Sequence, residues 1–306
     1  MSASLDLSLI VHTRNRREML HPLLRSTAFI GERIIVDMAS DDGSAELCEE
    51  AGCRVVRIPA ETFVDELRNR YLPLATRGWT LLLDSDEYLA ADAEGLIGAL
   101  IAAAGDRIDA YGIPRFNYIG ADRLPAPGWY PDHQIRLFRT GAIAFQKGHH
   151  QRPVVLSGDE RLALVDPSDG LHIHHQNYRD LKELIARQLD YALTDDYAGV
   201  RDLRLYLAEA YEAMERSLGD PERSDLDAAL AIVMAWDRVV RGVIHWEASG
   251  RTTDLARAFS LPLVVEQGPA FAALEQRVRD FENSTSWRVT APLRRLSAWF
   301  RSIRQR

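Results

Sequence analysis

The sequence predicts an α/β fold, a mainly parallel sheet followed by a C-terminal helical region. Short apolar runs alternate with helical spacing through residues 7–90, the rhythm that stacks helices on both faces of a parallel sheet. Shorter mixed strands, punctuated by Gly and Pro, follow beyond residue 105, and helical spacing takes over from Tyr178. The chain of 306 residues is 46% hydrophobic and 27% charged, which excludes disordered, collagen-like and disulfide-scaffold classes.

Strands are expected at Leu7 to Val11, Arg33 to Val36, Arg54 to Ile58 and Trp79 to Leu83, and helices at Arg16 to Phe29, Asp41 to Ala51 and Val64 to Ala75. The second half offers strands at Ala110 to Tyr118, Gln134 to Phe138, Ala142 to Phe145, Val154 to Leu156 and Leu162 to Val165. Helices are expected at Leu181 to Ala192, Val200 to Ser217, Leu226 to Ala248 and Ala270 to Phe281. Three regions result: a sheet domain over 1–177, helices over 178–282 and a basic tail over 283–306.

The formal net charge of −8 is unevenly placed. Residues 287–306 hold six arginines and no Asp or Glu, so the preceding residues carry −14. An acidic body argues against nucleic acid as a partner. In the tail, Val289, Leu293, Leu296, Trp299 or Phe300, and Ile303 make an apolar stripe among arginines, the pattern of a helix lying on anionic lipid or docked on protein, including a second copy of the chain. Cys48 and Cys53 lack the partners of a zinc site and read as free thiols of a reducing compartment. No run approaches the ~18 apolar residues of a membrane span, and Met1 to Leu7 do not read as a leader. The expectation is a cytoplasmic protein, with peripheral contact at the inner face of the membrane through 287–306.

Polar residues cluster where strands end, the edge at which α/β sheets bind ligands. His12-Thr13-Arg14-Asn15 follows the first strand, Asp37 closes the second and Asp84-Ser85-Asp86-Glu87 closes the fourth. Strand periodicity places Asp84 and Asp86 on one side, a pairing that suits a hard divalent cation and is repulsive without one. No G-x-G-x-x-G follows the first strand and no P-loop occurs, which removes support for dinucleotide and P-loop readings.

As an ordered set, Leu9 to Asn15, Ile34 to Ser44 and Trp79 to Glu87 resemble the family 2 inverting glycosyltransferases of the GT-A fold. The last stretch is similar to the Asp-x-Asp-Glu strand end of the lipopolysaccharide-core and polysaccharide-assembly subgroup, with Ser85 where Ala is usual. The resemblance implies a Rossmann-like GT-A sheet and transfer of a sugar from a nucleotide-diphosphate donor to a hydroxyl of a cell-surface glycan or lipid-linked acceptor. It assigns Thr13, Asn15, Asp37, Arg68 and Asp84 to the donor, and Asp86 to Mg²⁺ or Mn²⁺ acting as Lewis acid. The segment Gly128 to Arg139 resembles a Trp-x-Pro-Asp-x-x-x-Arg-Leu-Phe-Arg block of the same subgroup. It nominates Asp132 as general base, Glu87 as the alternative, and Trp129 as a stacking surface for a sugar.

In His172-Ile173-His174-His175, alternation puts His172 and His174 on one face, while His175 matches the family's histidine three residues before Tyr178. His175 is therefore the expected further metal ligand, with His174 as its alternative. Gln151 stands where the subgroup has Glu, a departure that favours a second reading, a non-catalytic GT-A-like scaffold recruited to membrane. A nucleotidyltransferase is the third reading, and the Thr13 to Arg17 loop lacks the Gly-rich character it would need.

Overall fold

The computed structural model describes residues 5–60, 64–124, 129–146, 152–194, 203–218 and 224–248. All fall in one compact unit, Met1–Gly250. The first half runs β1 (Leu7–Thr13), α1 (Arg17–Ser26), β2 (Glu32–Met38), α2 (Ser44–Glu50), β3 (Arg54–Ile58), α3 (Val64–Tyr71), β4 (Trp79–Asp84), β5 (Glu87–Leu89) and α4 (Ala93–Ala103). Then come β6 (Ala110–Ile119), β7 (Asp122–Arg123), β8 (Asp132–Arg139), β9 (Ile143–Ala144), β10 (Val154–Val155), β11 (Leu162–Leu164) and β12 (Ile173–Tyr178). Helices α5 (Leu181–Thr194), α6 (Leu203–Leu218) and α7 (Asp225–Ala248) follow.

The main sheet has the order β3-β2-β1-β4-β8-β6-β12-β5, with β7 and β11 also paired to β6 and a separate β9-β10 pair. β1 is parallel to both β2 and β4, whereas β8 is antiparallel to β4 and β6. Both faces of its parallel part are covered, which explains the continuous apolar runs of its strands. Leu7, Leu9, Val11, Ile35, Leu81 and Leu83 pack with Leu20, Leu23 and Ile97 on one face. The alternate residues Ile10, Ile34 and Leu82 pack with Phe138, Ala110 and Ala75 on the other.

Several elements differ from expectation for local reasons. α2 begins at Ser44 rather than Asp41, because the Asp42 carboxylate is spent on the Ser44 and Arg17 backbone N–H groups. α1 begins at Arg17 rather than Arg16, because Asn15 takes a left-handed φ of 51°. Its N–H bonds Ser40 Oγ at 2.9 Å and its Oδ1 accepts from Asp41 N at 2.9 Å. The loops after β1 and β2 are thereby clasped together at the carboxyl edge of the sheet. The three-residue β5 is an addition that no apolar run signalled, whereas the apolar run Leu96 to Ala104, which reads as a short helix, falls in α4 and its C-cap Ala104.

Cys48 and Cys53 are both free and buried, and burial pushes the Cys48 thiol up to about 12, so it is inert as a nucleophile. No helix among the described residues is long and apolar enough to cross a membrane. The tail, the helix expected over 270–281 and Gln151 lie outside the described residues.

Candidate active site

The carboxyl ends of β1, β2 and β4 sit side by side, with Thr13 in register with Asp37 and His12 in register with Asp84. Thr13 and Asp37 are each 1% exposed. Asp37 Oδ2 accepts from Ser40 N at 3.1 Å. Asp37 Oδ1 and Thr13 Oγ1 have no protein partner, and neither do the ring nitrogens of His12. Buried polar atoms are rarely left unpaired, so an unpaired cluster at a strand edge points to a ligand or ordered water. Asn15 clasps the two loops at this edge through its backbone N–H and its Oδ1.

The expectation that Asp84 and Asp86 project together is corrected. β4 ends at Asp84 and residues 85–86 form a turn, so the period-two alternation of a strand stops there. The Asp84 carboxylate is gripped by Arg68 from α3 and Arg136 from β8. Asp86 instead faces β12, where its Oδ1 lies 3.6 Å from His175 Nε2.

Asp84 belongs to a chain of alternating charges that crosses the sheet. Arg68 pairs with Asp84, Asp84 with Arg136, and Arg136 with Glu87 at 2.8 Å. Glu87 in turn pairs with Arg115 at 2.8 Å, and Arg115 with Asp132 at 2.6 Å. Glu87 is fully buried, and its Oε2 also accepts from Asp84 N at 2.9 Å. Burial alone would raise all three carboxyls, and the guanidiniums overturn it. Arg136 with Arg68 holds Asp84 well below the usual range, Arg136 with Arg115 lowers Glu87, and Arg115 with Asn117 and Gln134 lowers Asp132.

Asp86 and His175 shift the other way, each toward its neutral form. Burial raises the Asp86 carboxyl, with Asp84 and Glu87 nearby adding to the effect, and burial lowers the His175 imidazole. His175 Nδ1 is 2.8 Å from Asn117 Oδ1. Asp86 and His175 are thus two nearly buried donors facing each other, a fit for a small divalent cation. Among the described residues no third His, Cys, Asp or Glu completes a three-ligand cluster.

His174 lies on the opposite face of β12. It bonds Tyr118 OH through Nδ1 at 2.9 Å and stacks on Tyr88 with ring centroids 4.9 Å apart. His172 shares that face, stacked on Phe116 at 4.1 Å and bonded to Tyr130 OH at 3.1 Å. Trp129 packs in an apolar cluster with Ile119, Leu124 and Tyr178, and its carbonyl accepts from Asn117.

Sequence reasoning did not single out Arg115, Asn117, Arg136 or the His12 side chain. Their signal was a charged or polar residue inside an apolar strand, as in Ile135-Arg136-Leu137-Phe138.

The solved structures similar to this chain are remote. S. aureus TarS 1–349, in complex with UDP-GlcNAc, is 18% identical over 87% of this chain and 78% of that one, with a TM-score of 0.45. Glucosyl-3-phosphoglycerate synthase from Mycobacterium tuberculosis, in complex with Mn²⁺, UDP and glucosyl-3-phosphoglycerate, is 18% identical over 37% of this chain and 44% of that one, with a TM-score of 0.30. Residues 8–151 match the family model for Glycosyl transferase family 2. The matched stretch holds Thr13, Asp37, Arg68, Asp84, Asp86, Glu87 and Asp132, with His175 beyond its end.

Proposed function

We propose that this chain is an inverting glycosyltransferase that moves a sugar from a nucleotide-diphosphate donor to a hydroxyl of a glycan or lipid-linked acceptor. The observation that carries the reading is the Asp86–His175 pair, two buried donors 3.6 Å apart beside the unpaired polar edge of β1 and β2, within and just beyond the family match. The oxygen and imidazole donors of the pair favour Mg²⁺ or Mn²⁺.

Thr13 and Asp37 offer an unpaired hydroxyl and an unpaired carboxylate oxygen to the nucleoside. Arg68, at the mouth of the charge chain, offers a guanidinium to phosphate. Asp86 and His175 would hold the cation, leaving positions for diphosphate oxygens and water, and bound there it would stabilise the charge on the departing diphosphate.

Asp132 is the general base. Its side chain is 23% exposed, whereas Glu87 exposes nothing. Arg115 keeps Asp132 ionised at neutral pH, ready to take the acceptor proton, at the cost of basicity.

The test is release of nucleoside diphosphate from uridine, guanosine, thymidine and cytidine diphosphate sugars with Mn²⁺. Wild type is expected to turn over at least one of them, and Asp86→Ala to lose the activity while keeping its circular dichroism spectrum. No turnover with any donor, alone or with glycan acceptors, would favour the scaffold reading that Gln151 suggests.

A further inference from the structure

Asn117, buried on β6 and 2% exposed, sits at the join between the candidate base and the candidate cation site. Its Nδ2 donates to the Trp129 carbonyl at 2.9 Å and to Asp132 Oδ2 at 3.0 Å, and its Oδ1 is 2.8 Å from His175 Nδ1. A carbonyl and an ionised carboxylate can only accept, so the amide has one orientation open to it. Its oxygen must then face His175, and since that oxygen also only accepts, His175 Nδ1 must carry the proton. An imidazole that ligates a cation is neutral and so has a single N–H. Nε2 is left with a lone pair, directed at Asp86 Oδ1.

We propose that Asn117 is a positioning residue that locks His175 in its Nδ1–H form, holding Nε2 open toward a divalent cation beside Asp86, and that the same amide ties this ring to Asp132. The inference rests on the metal reading above. Outer partners of this kind orient ligating imidazoles, and losing one typically weakens metal binding about 10–100-fold. Neighbouring strands set the geometry: His175 is in register with Asn117 on parallel strands, and Arg115, two residues earlier on the same face of β6, is in register with Asp132. The network shares only one partner with the charge chain, Asp132, so its effect on His175 is separable from charge pairing.

Two variants divide the amide's roles. Asn117→Asp keeps an acceptor for the Nδ1–H and loses the donor to Asp132; Asn117→Leu loses both. Long-range ¹H–¹⁵N NMR of the metal-free protein reads the His175 tautomer, and Mn²⁺ titration followed by electron paramagnetic resonance reads affinity. Expected are the Nδ1–H form in wild type and Asn117→Asp with Mn²⁺ affinity retained, and loss of that single form in Asn117→Leu with binding about 10–100-fold weaker. An Nε2–H form in wild type would overturn the proposal, as would Asn117→Leu binding Mn²⁺ like wild type. If Asn117→Leu does not fold, loss of the Nδ1–H form in Asn117→Asp overturns it equally. A wild-type ring in the Nδ1–H form that binds no Mn²⁺ defeats the metal reading specifically, while upholding the tautomer lock.

Discussion

His12 shows what a single residue at this edge costs and how that cost can be measured. It is 5% exposed and lies near Arg68 and Asp84, and burial pulls its imidazole down to about 3. The unfolded chain takes up a proton near pH 6.5 that the folded chain refuses until about pH 3. Stability therefore falls as pH drops across that window, by about 1.4 kcal/mol per unit for one proton. His174 and His175, also lowered by burial, act in the same direction. Asp84, Glu87 and Asp132 act at lower pH, since their depressed values contribute stability at neutrality that is lost as they are protonated.

His12→Leu is expected to remove one proton's worth of that slope and, by deleting two unpartnered polar atoms, to add about 1 kcal/mol at pH 7. Urea denaturation at pH 7 and pH 5 checks both, and an unchanged slope would show that His12 is not the refused proton. Residue types at the strand ends made Asp37, Asp84 and Asp86 legible in the sequence. The partners were not: Arg136 is 52 residues from Asp84 and His175 is 58 from Asn117, distances over which no local spacing carries information.

Elements were legible wherever one periodicity ran long enough to bury a face. β1, β2, β3 and β4 begin or end within two residues of expectation, since β1, β2 and β4 are β-branched or leucine-rich runs covered on both sides and the half-buried Val55 and Val56 of the edge strand β3 pack against the two core clusters. Helix starts were less legible, because side chains from another loop decide them, as Asp42 and Ser44 do for α1. The break between Asp84 and Asp86 was hidden for a similar reason: a two-residue turn and a continuing strand have the same composition.

Close approach of α6 and α7 is another element-level feature. A Cβ on Gly242 would lie 2.8 Å from Tyr206 Cβ and 3.0 Å from Leu203 Cδ1. Ala there gains about 1 kcal/mol of helix propensity and meets an overpacking cost of about 1–3 kcal/mol. Gly242→Ala is therefore expected to lower stability in urea denaturation with nucleotide binding unchanged, and a more stable variant would contradict the close packing.

At the scale of the molecule, the acidity of the chain acquires a local meaning. Near the site the carboxylates Asp84, Glu87 and Asp132 are neutralised by Arg68, Arg136 and Arg115, so each already faces at least one guanidinium. Asp86 is the one member of the Asp84 to Glu87 segment that faces a histidine instead. Removing one partner from such a buried chain leaves an uncompensated charge, which makes the chain a fixed frame rather than a set of exchangeable contacts. The proposed cation would sit beside this frame, between Asp86 and His175.

The most direct measurement is the melting temperature with nucleoside diphosphates, with and without Mn²⁺, for wild type and Asp86→Asn. At a free concentration of about 100 times Kd, a ligand of the native state adds about 2.7 kcal/mol, or about 5–10 °C for a domain of this size. Wild type is expected to show a shift that requires both nucleotide and Mn²⁺, and Asp86→Asn to lose the Mn²⁺-dependent part. A shift in Asp86→Asn equal to that of wild type, or no shift in wild type with any nucleotide, would contradict the account.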